Sequence, residues 1–496
     1  MELTILLALT FFLLMAWLFA KRGQNFPPGP NGLPIVGSIF ALLNNPFQKL
    51  KEYADTYGPV YTLKIGPIWV IMLNDAATIQ ELFTTRSGEF SERPKLIADV
   101  TGFGENGIVL LPSGSYHKRQ KKVAMSLFRD IGVGNEKFDH LLRPYLDSVM
   151  KSLPDNPCIV NIENVCSETV SNIIGGFTFG DKVYNDNSDV SQEIRKLIRQ
   201  NFENNPILIV GNTYLPKKLC SLLGHFVDME NNISKMKKLL KRMMESHYFK
   251  KENKHQLNCF VPKYLEEYAT SHAGEELWGN SKEENQLVGI IIDFFQAGCE
   301  TTAVSLQWLL LLLAANPEVQ TKIQQEIDDL FGEELPSLQQ KSKLNYTVAT
   351  MYESLRIRPS APLGAPHCTK EDTTILGYQI PAGTPILSNL LSAQLNPQTF
   401  PDPHVFKPER FLDENGNICN LGSLLTFGTG PRTCLGEQLA KSILLSIVIN
   451  ILQKYTLRKK SEGCVDLSFQ HGINLLATEN ELLFSPRTSQ MDSEQG

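Results

Sequence analysis

One cysteine stands out among the residues able to do chemistry. Phe427-Gly428-Thr429-Gly430-Pro431-Arg432-Thr433-Cys434-Leu435-Gly436 sets glycines at 428, 430 and 436 around a single thiol, where they allow a tight backbone path. The apolar helical pattern Leu435–Gln453 begins directly after it. A helix N-terminus presents free N–H groups and the positive end of a dipole, features that lower a thiol pKa and hold a thiolate. A buried inert cysteine is the plain alternative. Against it, five positions match a fixed pattern, FxxGxRxCxG, which average composition yields on the order of once in ten thousand chains. Nucleophilic catalysis is a poor reading, because no histidine has a recognisable nucleophile context.

Three further groups of residues need an explanation. Glu353-Ser354-Leu355-Arg356 puts a carboxylate and a guanidinium on one helix face, where a bidentate pair can form, although an ordinary surface pair has the same spacing. Ala297-Gly298-Cys299-Glu300-Thr301-Thr302 lies inside the apolar stretch Leu287–Ala315. A helix that apolar is core, so an acid and hydroxyls in its middle need a reason, packing threonines being the simplest. Gly298 removes a side chain where something approaches the backbone, and Thr301 can divert the helical hydrogen bond at i−4. His117-Lys118-Arg119-Gln120-Lys121-Lys122 is a run of cations, usually a solvated helix face.

The elements that must position these residues follow from length and pattern. The chain has 496 residues, 42% hydrophobic and 20% charged, which supports a large core and excludes a disordered polymer or a polytopic membrane protein. Its 47 basic and 53 acidic residues leave a net charge of −6, against a nucleic-acid footprint. Nine cysteines without a CxxC pair make a disulfide scaffold or a structural zinc site a poor explanation. Leu3–Ala20 is uncharged, preceded by Glu2 and followed by Lys21 and Arg22. That predicts a transmembrane anchor over 1–20 with the body in the cytosol, rather than a cleaved signal. A basic, proline-rich hinge (21–38) leads into one domain (39–487), and a flexible tail (488–496) follows. Periodicity predicts helices over Tyr116–Phe128, Val160–Phe177, Ser191–Phe202, Ile233–Phe249, Glu283–Ala315 and Pro317–Phe331. A hairpin is predicted over Val60–Ile65 and Trp69–Leu73, and short β pieces between Pro359 and Pro408.

Taken together, the motifs resemble the cytochrome P450 superfamily, the haem-thiolate monooxygenases, from the anchor to about residue 485. The overall look is that of microsomal family-2-like enzymes, through Pro27-Pro28-Gly29-Pro30, Phe90-Ser91-Glu92-Arg93-Pro94 and Phe128-Arg129-Asp130. The resemblance implies a mainly α fold with small β-sheets, the cytochrome P450 fold, behind one N-terminal transmembrane helix. It makes Cys434 the axial thiolate ligand of haem b, in a cysteine loop opened by Phe427, a ligation that favours O–O cleavage. Glu353, Arg356 and Arg410 (in Lys407-Pro408-Glu409-Arg410-Phe411) become a buried network supporting that loop. Thr301 takes the hydrogen bond to dioxygen and Glu300 the proton relay. Arg93, His367 and Arg432 match propionate partners. At two further propionate positions the family usually has Trp and Arg, whereas this chain has His117 and Lys121. Both can donate, but His is titratable and Lys lacks the guanidinium fork. Ile108, Val109, Phe294, Ala297, Ala361 and Ala365 match substrate-pocket positions. Lys118, Arg119 and Lys122 match contacts to an acidic electron donor.

The activity this implies is insertion of one oxygen atom from O2 into an apolar substrate: a steroid, a fatty acid or other lipid, or a xenobiotic. No strand-associated GxGxxG fingerprint occurs, so NADPH would act indirectly, through a cytochrome P450 reductase, with cytochrome b5 as a further donor. The implied place is the endoplasmic reticulum membrane, single-pass, with a cytosolic catalytic domain and no nucleic-acid partner. The alternatives are a haem-thiolate isomerase or dehydratase acting on lipid peroxides, which the intact Glu300-Thr301 pair disfavours, and a non-enzymatic haem sensor or lipid-binding protein.

Overall fold

The most apolar helix of the body, Ser281–Ala315, is 35 residues long and runs through the core of the protein. It packs against the helices Ile162–Phe179, Met229–His247, Asn345–Ile357 and Glu437–Lys454. Between Gln286 and Ala314 every residue is buried except Phe294, Ala297, Gly298 and Thr301. Those four fall at i, i+3, i+4 and i+7, a single helical face. A helix apolar all round is thereby explained by burial all round, apart from that one stripe.

The computed structural model describes residues 2–19, 25–33, 36–104, 106–134, 136–213, 215–248, 258–271, 277, 281–461 and 463–487. Lys21, Arg22 and the tail 488–496 lie outside the described residues, as does most of the basic part of the hinge. Glu2–Phe19 forms one α-helix. Its Ile5, Leu6, Leu7, Leu9, Phe11 and Phe12 are each more than half exposed, so the body covers none of them. Thr10 turns its hydroxyl back to the Leu6 carbonyl at 2.8 Å, which satisfies the polar group on an otherwise apolar surface.

The β structure is small and peripheral. Val60–Ile65 and Ile68–Leu73 pair antiparallel with Ile65 opposite Ile68, the hairpin predicted from the Gly66-Pro67 interruption. Ile68–Leu73 then pairs parallel with Pro385–Ser388, whose other edge takes His367–Cys368, so a sheet edge fixes His367. A second sheet joins Cys158–Asn161 and Tyr455–Lys459 across Glu481–Pro486. The pair Phe469–His471 and Leu475–Ala477 is fastened to the long helix by Trp308, whose indole N–H donates to the Leu475 carbonyl at 2.7 Å.

Helix boundaries follow the hydrophobic period closely, with one shift that bears on the site. The helix after the cysteine starts at Glu437, with Gly436 as its N-cap, rather than at Leu435. Glu136–Ser152 is a helix that contains Pro144, a residue that normally ends one and that hid the pattern.

Candidate functional site

The cysteine loop rests on a buried charged network. Glu353 and Arg356 are both 0% exposed. Arg356 grips the carboxylate with two donors, Nε to Oε2 at 2.7 Å and a second nitrogen to Oε1 at 2.8 Å. Its remaining N–H groups reach the carbonyls of Gln394 and Pro403, each at 2.8 Å. Arg410 joins through Nε to Glu353 Oε1 at 3.3 Å and donates to the carbonyls of Pro401 and Asp402. These direct hydrogen bonds offset the desolvation cost of burying the two charges. The network reaches the loop through Thr426, whose hydroxyl donates to the Leu355 carbonyl at 2.9 Å, and through Gln394, which donates to the Ser423 carbonyl at 3.0 Å.

The loop itself is tight. Cys434 N–H donates to the Phe427 carbonyl at 2.9 Å. Gly428 and Gly430 hold φ of 72° and 71°, and a Cβ on Gly430 would collide with the Phe83 carbonyl. Cys434 keeps accessible surface, although dense surroundings desolvate its thiol. The Gly436 N–H eases ionisation, as expected of a helix start, but burial outweighs it and pushes the thiol up to about 11. The protein's own field therefore does not make this thiolate. A coordinated metal cation would, since it deprotonates a ligating thiol outright.

The residues matched to propionates converge. Arg93 is buried and donates to the carbonyls of Val109 (3.0 Å) and Pro366 (2.7 Å). Arg432 donates to those of Ser91 (3.0 Å) and Leu111 (2.8 Å) and to Ser113 Oγ (2.9 Å). Lys121 donates to the Pro431 carbonyl at 2.7 Å. Burial lowers Arg93 to about 9, with Arg432 adding repulsion, and lowers Arg432 to about 10. His117, buried beside Arg432, Lys121, Arg93 and Lys118, falls to about 4. His367 is stacked on Phe83 with ring centroids 3.8 Å apart, and burial and Arg93 push it well below its ordinary value. Arg93, Arg432 and Lys121 thus converge as mutually repelling cations beside two histidines kept neutral, an arrangement that an anion would relieve. A haem, with two carboxylates and an iron needing a thiolate, fits this donor set.

The long helix carries the open stripe of Phe294, Ala297, Gly298 and Thr301. Ala297 is exposed and Thr301 half-buried, although both sit in the core. Ala365 is exposed and Ala361 half-buried. Gly298 has a different neighbour, since a Cβ there would stand 3.3 Å from Ile174 of a crossing helix. Phe294 belongs to an aromatic cluster with Phe128 (5.3 Å) and Phe260 (4.6 Å). Ile108 is buried in the main core, and Val109 is half-buried. Glu300, about 100° around the helix from Thr301, projects elsewhere. It lines a recess of about 20 Å³ with Glu163, Arg199 and Gln307, room for about one water. Burial raises its carboxyl to about 7.

Sequence reasoning missed the residues that hold the segment 107–109. Asp293 accepts the N–H groups of Ile108 (2.5 Å) and Val109 (2.9 Å), while Gln286 exchanges two hydrogen bonds with Gly107. A carboxylate and an amide seven residues apart in an apolar helix were the available signal.

A family model described as "Cytochrome P450" matches residues 27–484. The chain is 31% identical over 494 residues to cytochrome P450 2J1 of Oryctolagus cuniculus, covering 98% of this chain and 96% of that protein. It is 30% identical over 491 residues to cytochrome P450 2J2 of Homo sapiens, with coverage of 98% and 96%. To cytochrome P450 2U1 of Homo sapiens it is 31% identical over 480 residues, 89% of this chain and 85% of the relative.

Proposed function

The chain belongs to the cytochrome P450 family, and on that premise we propose that it is a haem-thiolate monooxygenase placing one atom of O2 into an apolar substrate. The observation that carries the reading is the pairing of the Cys434 thiol with the mutually repelling cations Arg93, Arg432 and Lys121, able to hold two carboxylates. When bound, haem supplies one-electron redox chemistry and O2 activation that no side chain provides. Cys434 would ligate the iron, and Arg93, Arg432, Lys121, His117 and His367 would hold the propionates. His367 already has Nδ1 on the Phe90 carbonyl at 2.7 Å. A carbonyl only accepts, so Nδ1 carries the proton, and His367 can donate from Nε2 only as an imidazolium. An incoming carboxylate supplies the charge that makes it one.

On the other side, Ala297, Ala361 and Ala365 leave room for a bulky apolar molecule, in keeping with a lipid, steroid or xenobiotic substrate. Glu300 holds a proton near neutral pH beside a recess large enough for a water, and is the proton source in this reading, with Thr301 the hydroxyl of the neighbouring open stripe. Electrons come from NADPH through a flavoprotein reductase. Lys118, Arg119, Lys122 and Arg129 are exposed around Met125 on the helix Ser115–Ile131, a cationic face suited to an acidic donor. The apolar helix Glu2–Phe19, exposed over residues 4–12, would anchor the protein in the endoplasmic reticulum membrane.

The test is spectroscopic and then catalytic. The reduced carbonyl complex is expected to show the red-shifted Soret band of thiolate ligation, and Cys434→His to lose it. With purified reductase, NADPH consumption should accompany oxygenated product. Rearrangement of a lipid peroxide without NADPH would mark an isomerase instead.

A further inference from the structure

Lys441 lies on the helix Glu437–Lys454, about two turns beyond Cys434, and is 7% exposed. The monooxygenase reading gives it no task. An ammonium group is rarely buried this far unless paired. Here Glu437 Oε1 lies 2.5 Å from Nζ, and the faces of Tyr352 and Phe427 lie 4.9 and 5.3 Å away. Phe427 is the residue whose carbonyl holds the Cys434 N–H, and Tyr352 precedes Glu353 of the supporting network. The ammonium is thus enclosed between the cysteine loop and the helix that braces it. A surface pair at this spacing needs no such enclosure.

We propose that Glu437 and Lys441 are a matched charge pair that sets the reduction potential of the haem held by Cys434, Lys441 raising it and Glu437 lowering it. The inference rests on the haem-thiolate reading above. One electron from a one-electron reductant takes Fe(III) to Fe(II) and adds one negative charge to the iron–thiolate–porphyrin unit. A nearby cation favours the reduced form and a nearby anion the oxidised form. Bulk salt screens the field of buried Lys441 weakly and that of Glu437, whose side chain is 31% exposed, more strongly. Neither residue touches the reacting atoms, so both are positioning residues that act through the field at the thiolate.

The experiment is a dithionite titration of the full-length holoprotein, following the haem spectrum, for the wild type, Lys441→Met, Glu437→Gln, the double variant and Lys441→Arg. Lys441→Met is expected to make reduction less favourable by about tenfold, ~59 mV for a one-electron couple. Glu437→Gln should move the equilibrium the other way, the double variant should return close to wild type, and Lys441→Arg should stay close to it. The reduced carbonyl band should keep its position throughout, since the ligand is unchanged. A purely structural pair would not produce shifts of opposite sign that cancel. Potentials that do not move, or that move the same way in both single variants, overturn the proposal. If Lys441→Met fails to take up haem, Glu437→Gln alone decides, and an unchanged or lowered potential overturns it. A wild-type protein without the thiolate-type carbonyl band would instead overturn the haem-thiolate reading itself.

Discussion

The hydroxyl of Thr301 donates to the carbonyl of Ala297, one turn earlier on the same open stripe of the long helix. Its single proton is therefore engaged, and its lone pairs are what it offers to the substrate space. Ser305 donates in turn to the Thr301 carbonyl at 2.8 Å. Thr302, one residue on, is buried and points about 100° away.

Thr301→Ala is expected to keep haem and substrate binding and NADPH consumption, while hydrogen peroxide rises at the expense of product. Loss of a proton-transfer group costs about 10² to 10⁴, and a water can replace a hydroxyl in part, so the low end or less applies. Thr302→Ala should stay coupled. Equal uncoupling in both variants, or in neither, would place the oxygen-binding groove elsewhere.

Glu300, with its carboxyl near 7, should impose an alkaline limb on coupled turnover. Below pH 7 the group is protonated and can donate; above it the proton is lost and product formation falls. Glu300→Gln should be slower and should lack that limb. A mutant whose pH profile keeps the wild-type shape would assign the limb to another group.

Asp293 should make the fold less stable as pH rises. Burial raises its carboxyl to about 7 against the backbone donors that lower it, and Oδ1 has no hydrogen-bond partner. A folded pKa above the unfolded value gives stability that is complete below about pH 3.8 and lost as pH rises through 7. The shift corresponds to about 4 kcal/mol at most. Asp293→Asn should flatten the thermal midpoint between pH 5 and 8, and a variant as pH-sensitive as the wild type would contradict this origin.

Arg356→Lys should abolish haem incorporation although the charge is kept. Lysine cannot supply two parallel bonds to Glu353 together with those to Gln394 and Pro403, and breaking one partner of a buried pair costs about 3–5 kcal/mol. Absorbance of the purified protein in the Soret region checks it. Full haem content in Arg356→Lys would mean that the loop does not depend on the fork.

Local rules in the sequence were enough for a good part of this. Glycines around Cys434, the three-residue spacing of Glu353 and Arg356, and an unbroken apolar run over 287–315 each carry their meaning within a few residues or one helical period. Those features located the cysteine loop, the charged pair and the core helix. The hairpin at Gly66-Pro67 was legible for the same reason. What stayed hidden was whatever depends on distant segments meeting. The three-stranded sheet joins residues 158–161 to 455–459 and 481–486, and no local pattern announces such a pairing. Asp293 gains its role only when residues 107–109 fold against it. Glu300 and Thr301 are neighbours in sequence, but the fold turns one to a polar recess and leaves the other on the open stripe of the helix. The state of Cys434 shows the same division. Its helix start and glycines favour a thiolate, yet desolvation by the assembled protein raises the thiol to about 11, because burial is a property of the whole packed chain and not of the motif.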